Sequence, residues 1–250
     1  VRSLTQDDCH VFCAPDQIEM IINEMLDMVD EVYTAFGFKD FWVRVSTRDP
    51  KDHAKYIGDE NVWKESEAAL ARLIKARGWK HEEGIGEAAF YGPKLDFIFK
   101  DVIGREWQLS TIQLDMNLPA RFKLEYVADD GNKKQPVVIH RAILGSTERF
   151  LGILIEHFAG AFPVWLAPVQ ARVIPVSEKT EKYAASVGQE LQKAGIRIQL
   201  DMSNETLGKR IRAAEMEKIP YILVVGEKEA TAGTVNVRTH GEKTPKDFEL

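Results

Sequence analysis

Apolar residues recur every three or four positions through Ile18, Ile21, Ile22, Met25, Leu26, Val29, Val32 and Tyr33, which places them on one face of a helix. Pro15 and Asp16 open that helix and Gly37 stops it. A second helix is predicted over 59–77, with Val62, Trp63, Leu70, Leu73 and Ile74 on its stripe and Gly78 at its end. Residues 4–13 read as a strand, and Phe41, Val43 and Val45 alternate as another. From 87 to 139 the period falls to two: 95–99, 105–115, 124–127 and 137–140 are predicted strands. Asp129-Asp130-Gly131-Asn132 supplies a hairpin turn before the last of them. One long helix, 146–158, follows. Consecutive strands followed by a helix indicate an α+β domain on an antiparallel sheet.

Ala159-Gly160-Ala161-Phe162-Pro163 interrupts the periodicity and marks a boundary, dividing the chain into domains 1–161 and 162–250. Beyond it strands at 171–176, 196–201, 221–225 and 234–239 alternate with helices at 178–194 and 204–218. That order predicts a small α/β domain with a largely parallel sheet.

Composition changes this picture in two places. The 250 residues are 44% hydrophobic and 29% charged, an ordinary globular balance that excludes a disordered or low-complexity chain. The net charge of −6 argues against non-specific nucleic-acid binding as the main business. The total hides a split, however: residues 1–161 carry 20 Lys and Arg against 27 Asp and Glu, or −7, whereas 162–250 carry 13 against 12, or +1. The longest weakly polar run, 158–169, has 12 residues and two prolines, too short and too broken to span a bilayer. With two cysteines, Cys9 and Cys13, and no secretory leader pattern, a reducing cytoplasm is the expected compartment. The chain starts at Val1, so a processed, excised or truncated polypeptide is expected.

Chemistry concentrates at a few positions. Gln6, Asp8 and His10 alternate along the first strand, so an amide, a carboxylate and an imidazole share one face. They line either a polar pocket or the solvated face of an edge strand. His140 ends another strand and is either a structural imidazole or, if it meets His10, half of a zinc site that still needs a third ligand. Cys9 and Cys13 point away from His10 and read as small buried hydrophobes. Ser146 is a good N-cap for the long helix, and Arg149, one turn in, suits a nucleotide phosphate or a plain surface position. Gln108 and Gln113 lie five apart on one strand, so both reach one pocket only if the strand bulges or twists.

These residues sit in five blocks: T-Q-D-D-C-H-V-F (5–12), F-Y-G-P-K-L-D (90–96), W-Q-L-S-T-I-Q-L-D (107–115), H-R-A-I-L-G-S-T-E-R-F (140–150) and F-P-V-W-L-A-P-V-Q (162–170). In that order and spacing they resemble the threonyl-tRNA synthetases, a family of class II aminoacyl-tRNA synthetases, over essentially the whole chain. The resemblance implies an α+β class II catalytic domain lacking its amino-terminal part, followed by an anticodon-binding domain from about residue 166. It implies ATP-dependent activation of threonine to threonyl-adenylate and transfer to tRNA(Thr), with threonine, ATP and tRNA(Thr) as partners and a homodimer for the full-length protein.

By position, His10 and His140 match the family's two zinc-binding histidines. Its third ligand, a Cys, falls upstream of residue 1, and neither Cys9 nor Cys13 matches it. Gln6, Asp8, Tyr91 and Gln113 match substrate contacts, and Lys94 matches the residue at the carboxylate or α-phosphate. Gln108 and Arg149 match the ATP side, where Mg²⁺ is implied on the phosphates. Asn204, Lys228, Glu229 and Arg238 match positions that contact anticodon bases, although each also reads as an ordinary solvated side chain. The competing expectations are a tRNA-binding fragment or paralogue with an incomplete active site, and a regulatory paralogue that holds threonine or a nucleotide.

Overall fold

The structure, a computed structural model, describes residues 2–242 and 244–249, which cluster into two compact units, 1–153 and 154–250. In the first, the elements in order are β1 (Cys9–Cys13), α1 (Ile18–Phe36), β2 (Phe41–Thr47), α2 (Glu60–Arg77), β3 (His81–Ile85), β4 (Lys94–Lys100), β5 (Glu106–Asp115), α3 (Leu118–Arg121), β6 (Tyr126–Val127), β7 (Lys133–Lys134), β8 (Val137–Ala142) and α4 (Thr147–His157). The unit boundary falls within α4.

Six strands form one sheet in the order β1-β8-β5-β4-β2-β3. Its first four pairings are antiparallel, but β3 adds to β2 in parallel, so the sheet is mixed rather than wholly antiparallel. The crossover through α2 returns the chain to the same end of the sheet, which makes a parallel partner the natural product. His81-Glu82-Glu83-Gly84-Ile85 has no apolar alternation because it is an edge strand held by backbone pairing, and for that reason hydropathy does not announce it.

Two further expectations change. The first strand shortens to Cys9–Cys13, with Gln6 making an isolated bridge to Ser146. The turn at Asp129–Asn132 joins β6 to β7 in a separate two-stranded ribbon instead of leading into β8, because Pro136 interrupts the chain between them.

One face of the large sheet is apolar. Val45, Leu95 and Ile112 are neighbours across three strands, as are Leu114 and Ile139, and all are buried. Helices α1 and α2 cover that face with Ile22, Leu26, Val29, Leu70 and Ile74 fully buried, and Tyr33 of α1 packs edge-on against Phe41 and Phe97. At about 1.5–3 kcal/mol per buried large side chain, this face supplies the unit's stability. Asp59 caps α2 through the backbone N–H groups of Asn61 and Val62, and Gly37 ends α1 in the left-handed conformation. The opposite face is left free for chemistry.

The second unit runs β9 (Ala171–Pro175), α5 (Glu181–Lys193), β10 (Ile198–Leu200), α6 (Leu207–Met216), β11 (Tyr221–Val225), α7 (Glu227–Ala232), β12 (Thr234–Thr239) and β13 (Lys246–Glu249). Its sheet order is β10-β9-β11-β12-β13: the first three strands are parallel and the last two antiparallel. Val173, Leu223 and Val225 pack with Ala184 and Val187 of α5 on one face; Ile174 and Ile222 pack with Ala214 of α6 on the other. Six-residue α7 and the fully exposed β13 lack a readable period, and the sequence reading omits both.

Candidate active site

The polar face of the first sheet carries the flagged residues in register. Reading across from β1, the cross-strand partners are His10, His140, Gln113, Lys94 and Ser46, ending on Gly84 of β3. A second row two residues along runs Arg44, Asp96 and Thr111. Neighbouring strands lie about 4.8 Å apart, so the first row spans roughly 20 Å of continuous polar surface.

Gln108 joins this face through a β-bulge. The pairing of β4 with β5 shifts register between Asp96 and Ile98, so that Asp96 faces Thr111 while Ile98 faces Gln108. The extra residue on β5 restores the parity that a spacing of five would otherwise break. Gln108 Nε2 and Thr111 Oγ1 both donate to Asp96 Oδ1, at 2.8 and 3.1 Å, and Gln113 Nε2 lies 3.4 Å from Thr111 Oγ1.

At the β1 end, the His10 and His140 rings meet edge to face with centroids 4.7 Å apart. Asp115, wholly buried, accepts from His140 Nε2 at 3.0 Å, while its other oxygen accepts from the backbone N–H groups of Asn117 and Leu118. A carboxylate so fixed sets the tautomer and leaves His140 Nδ1 as the free lone pair. Tyr91 packs on His140 at 5.2 Å and its hydroxyl donates to Gln113 Oε1. Burial, then the charges of Asp115 and Asp8, push the Tyr91 phenol up to about 12. Two carboxylates facing a neutral phenol make this end attractive to a cation.

Gly92 explains how Tyr91 gets there: a Cβ at this position would lie 1.8 Å from the carbonyl oxygen of Leu114. The Tyr91–Pro93 backbone thus lies directly on β5, and Asn117 Nδ2 secures it by donating to the Tyr91 carbonyl at 2.7 Å. As a metal site, the histidine pair offers two donors of suitable chemistry; among the described residues no third His, Cys, Asp or Glu completes a ligand group. The pair therefore offers two donors of a kind zinc accepts, short of the three protein ligands usual for a catalytic zinc.

The opposite end is cationic. Lys94 Nζ and Arg44 Nη2 both reach Asp96, and the Arg149 guanidinium donates to the backbone carbonyl of Gln108. Gln6 bridges to Ser146 at the start of α4, and Asp8 and Gln6 are exposed. Asp7, of opposite parity, accepts from the backbone N–H groups of Ile143, Leu144 and Gly145 at 2.9–3.2 Å and staples the β1 approach to the turn before α4. Arg44, Asp96, Thr111, Asp115 and Asp7 receive no role from the sequence, although all but Arg44 stand inside the quoted blocks. The alternation of Arg44 with Ser46 and of Lys94 with Asp96 is the signal that could have found the first two.

In the second unit Asn204, Lys228 and Glu229 lie beyond the carboxyl ends of the parallel strands, the usual ligand edge of such sheets. Asn204 and Lys228 are exposed, whereas Glu229 accepts from the Gly226 N–H at 2.8 Å and so caps α7. Arg238 sits apart from them, opposite Ile222 on the α6 face, in a cavity of ≈ 380 Å³ that Glu215, His240 and Glu242 also line. Its Nε is buried without a hydrogen-bond partner.

Against known proteins, residues 1–158 match the tRNA synthetase class II core domain (G, H, P, S and T), and residues 170–249 match an anticodon binding domain. A threonine–tRNA ligase of Acidobacterium capsulatum is 51% identical over 242 residues, 97% of this chain and 36% of that protein. One from Thermus thermophilus is 53% identical over 238 residues, 95% of this chain and again 36% of the relative. The chain thus spans a little over a third of the length of these relatives. Among solved structures, the RNA binding domain of threonyl-tRNA synthetase from Cryptosporidium parvum superposes with a TM-score of 0.93 at 40% identity, covering 100% of this chain and 62% of that one. Prolyl-tRNA synthetase of the same organism, with L-proline and AMP, gives 0.65 at 19% over 97% of this chain and 46% of that one, a likeness of fold alone.

Proposed function

Because the chain belongs to the class II tRNA synthetase core family (G, H, P, S and T), we propose that it is the carboxy-terminal part of a threonine–tRNA ligase. The observation that carries this reading is the polarity of the row His10–His140–Gln113–Lys94: acidic and imidazole groups at one end, ammonium at the other. An α-amino acid laid along it meets Tyr91 and Gln113 with its amino group, beside the imidazole pair, and Lys94 with its carboxylate, while Asp115, sealed behind His140, acts there through its charge alone.

In the first step a threonine carboxylate oxygen attacks the α-phosphorus of ATP and pyrophosphate leaves. Lys94 and Arg149 neutralise charge on the carboxylate and phosphates, to which Mg²⁺, when bound with ATP, would add its own charge. Gln108, oriented by Asp96 and Arg44, holds the adenylate. In the second step a hydroxyl of the terminal tRNA ribose attacks the threonyl carbonyl and AMP leaves. Transfer of this kind rests on positioning and charge more than on proton relays.

His10 and His140 are the residues that would hold zinc, which when bound supplies a Lewis acid for the amine and hydroxyl of threonine. Asp115 keeps His140 in the ligating tautomer, Asp8 accepts the hydroxyl proton in a hydrogen bond, and Gln113 with Tyr91 frames the amine. A site that demands a hydroxyl rejects valine by roughly 10⁴-fold, far more than an apolar pocket achieves. In the second unit, Asn204, Lys228 and Arg238 read exposed bases of the anticodon loop, the kind of single-stranded target that polar side chains distinguish. Glu229 does so only if it can leave its cap. The reading places the protein in the cytoplasm with the translation apparatus, as a homodimer when full length.

The two-donor metal pair favours one competitor, a tRNA-binding module without catalysis. His140→Ala in the full-length protein separates them. Threonine-dependent ATP–pyrophosphate exchange should fall by about 100-fold or more, beyond the 10–100-fold typical of losing an outer-shell partner of a ligand, and bound zinc should fall with it. Wild-type rates and zinc content in that variant would remove the assignment.

A further inference from the structure

Asp96 is fully buried on β4, in the middle of the sheet, and five side-chain donors converge on its carboxylate. Ser46 Oγ reaches Oδ2 at 2.8 Å, Arg44 Nη2 at 3.2 Å and Lys94 Nζ at 2.8 Å; Gln108 Nε2 and Thr111 Oγ1 reach Oδ1 at 2.8 and 3.1 Å. A carboxylate accepts about four such bonds, so its capacity is filled and none remains for a ligand. Isolated buried charge is costly, and a cell that keeps one here supplies it with two cations and three neutral donors from three strands.

The donors are fixed as heads, not merely paired. Arg44 Nη2 also donates to Gln108 Oε1 at 3.0 Å, so the amide of Gln108 accepts from one partner and donates to the other, which sets its orientation. The stem of Arg44 lies over Gly84, where a Cβ would fall 2.7 Å from its Cγ and Cδ. Arg44 Nε is left buried with no partner, a cost the fold accepts to keep the guanidinium on Asp96. Lys94, 14% exposed, keeps two N–H donors beyond the one spent on Asp96 and carries the surplus positive charge of the trio to the polar face.

We propose that Asp96 is a positioning residue: without touching substrate, it holds the Lys94 ammonium and the Gln108 amide at the places where the acyl carboxylate and the nucleotide are met. Arg44, pinned over Gly84, is the counter-charge that lets one buried carboxylate do this. The kinetic half of the proposal rests on the ligase reading above; the geometric half does not.

The test has two arms. In this chain, without substrate, acylation of Lys94 by an amine-reactive ester is followed by mass spectrometry, with exposed Lys64 as internal reference. Asp96→Asn should raise Lys94 reactivity about five-fold relative to Lys64, and Asp96→Glu, which keeps the charge, should hold it within about two-fold of wild type. Should the Asn variant unfold, the Glu variant decides: Lys94 as reactive there as in urea overturns the proposal. In the full-length protein, Asp96→Asn should lower kcat for threonine-dependent exchange on the order of 10²-fold with KM for threonine changed less than three-fold. Combined with Lys94→Met, it should add less than its own separate loss, the remainder being what Asp96 exerts through Gln108; losses that multiply in full would contradict action through Lys94. Absence of exchange in the wild type would sink the ligase reading while the labelling result still judged the positioning.

Discussion

Tyr91 concentrates the electrostatics of the site in one titration. Its phenol and that of Tyr33 are both held up to about 12, Tyr91 by burial with the charges of Asp115 and Asp8, Tyr33 by burial that outweighs the lowering effect of its hydrogen bonds with Ser110. A pKa raised above the ordinary 10 means the folded state prefers the neutral phenol. That preference is fully present below pH 10 and is lost as pH rises through 10 to 12. Tyr91 and Tyr33 should therefore ionise late in an alkaline absorbance titration, as should Tyr183, raised by burial and by Glu229, and Asp115→Asn should bring Tyr91 earlier while leaving Tyr33 in place. An unmoved Tyr91 would mean that Asp115 does not act on it. At this scale the sequence picks out Gln6, Asp8 and His10 by simple alternation and His140 by its place at a strand end, and parity settles the facing of the two histidines, which pair across β1 and β8. Asp96 and Asp115 stay hidden for the opposite reason: a charged residue alternating in a strand looks like solvent-facing polarity, and only the fold reveals that both are sealed in.

Among the elements, the amphipathic ones are legible and the ones held by backbone pairing are not. Helices α1 and α2 follow their apolar stripes to their glycine stops. Strand β3 has no such stripe, and the bulge that brings Gln108 to the face of Gln113 leaves no compositional mark. Parity alone put the two amides on opposite sides; one extra residue in β5 reversed that. Short α7 shows the same limit, with a consequence for function. Because Glu229 caps it, Glu229→Ala should cost about 1 kcal/mol of stability in urea unfolding. Glu229→Gln, able to keep the cap, should restore most of that, so any tRNA defect it retains belongs to recognition. Arg238→Ala should weaken cognate tRNA binding much more than non-cognate; equal losses would reduce Arg238 to bulk charge.

For the molecule as a whole, the split of charge becomes a division of labour between two described units. The acidic total of −7 in residues 1–161 belongs to the part whose sheet carries the cation-seeking end, and the +1 of residues 162–250 to the part matched by an anticodon binding domain. On the ligase reading, base-by-base contact, not overall charge, supplies specificity there. Both domain types were legible because five motif blocks survive in order along the chain; the paired rows that bring the first four of them onto the first unit's sheet required the register. The most direct test of the account is amino-acid-dependent ATP–pyrophosphate exchange by the full-length protein with threonine, serine and valine in parallel. The account predicts exchange with threonine, weaker exchange with serine, which keeps amine and hydroxyl, and valine rejected by roughly 10⁴-fold. Exchange with valine comparable to threonine, or none with threonine, would contradict it.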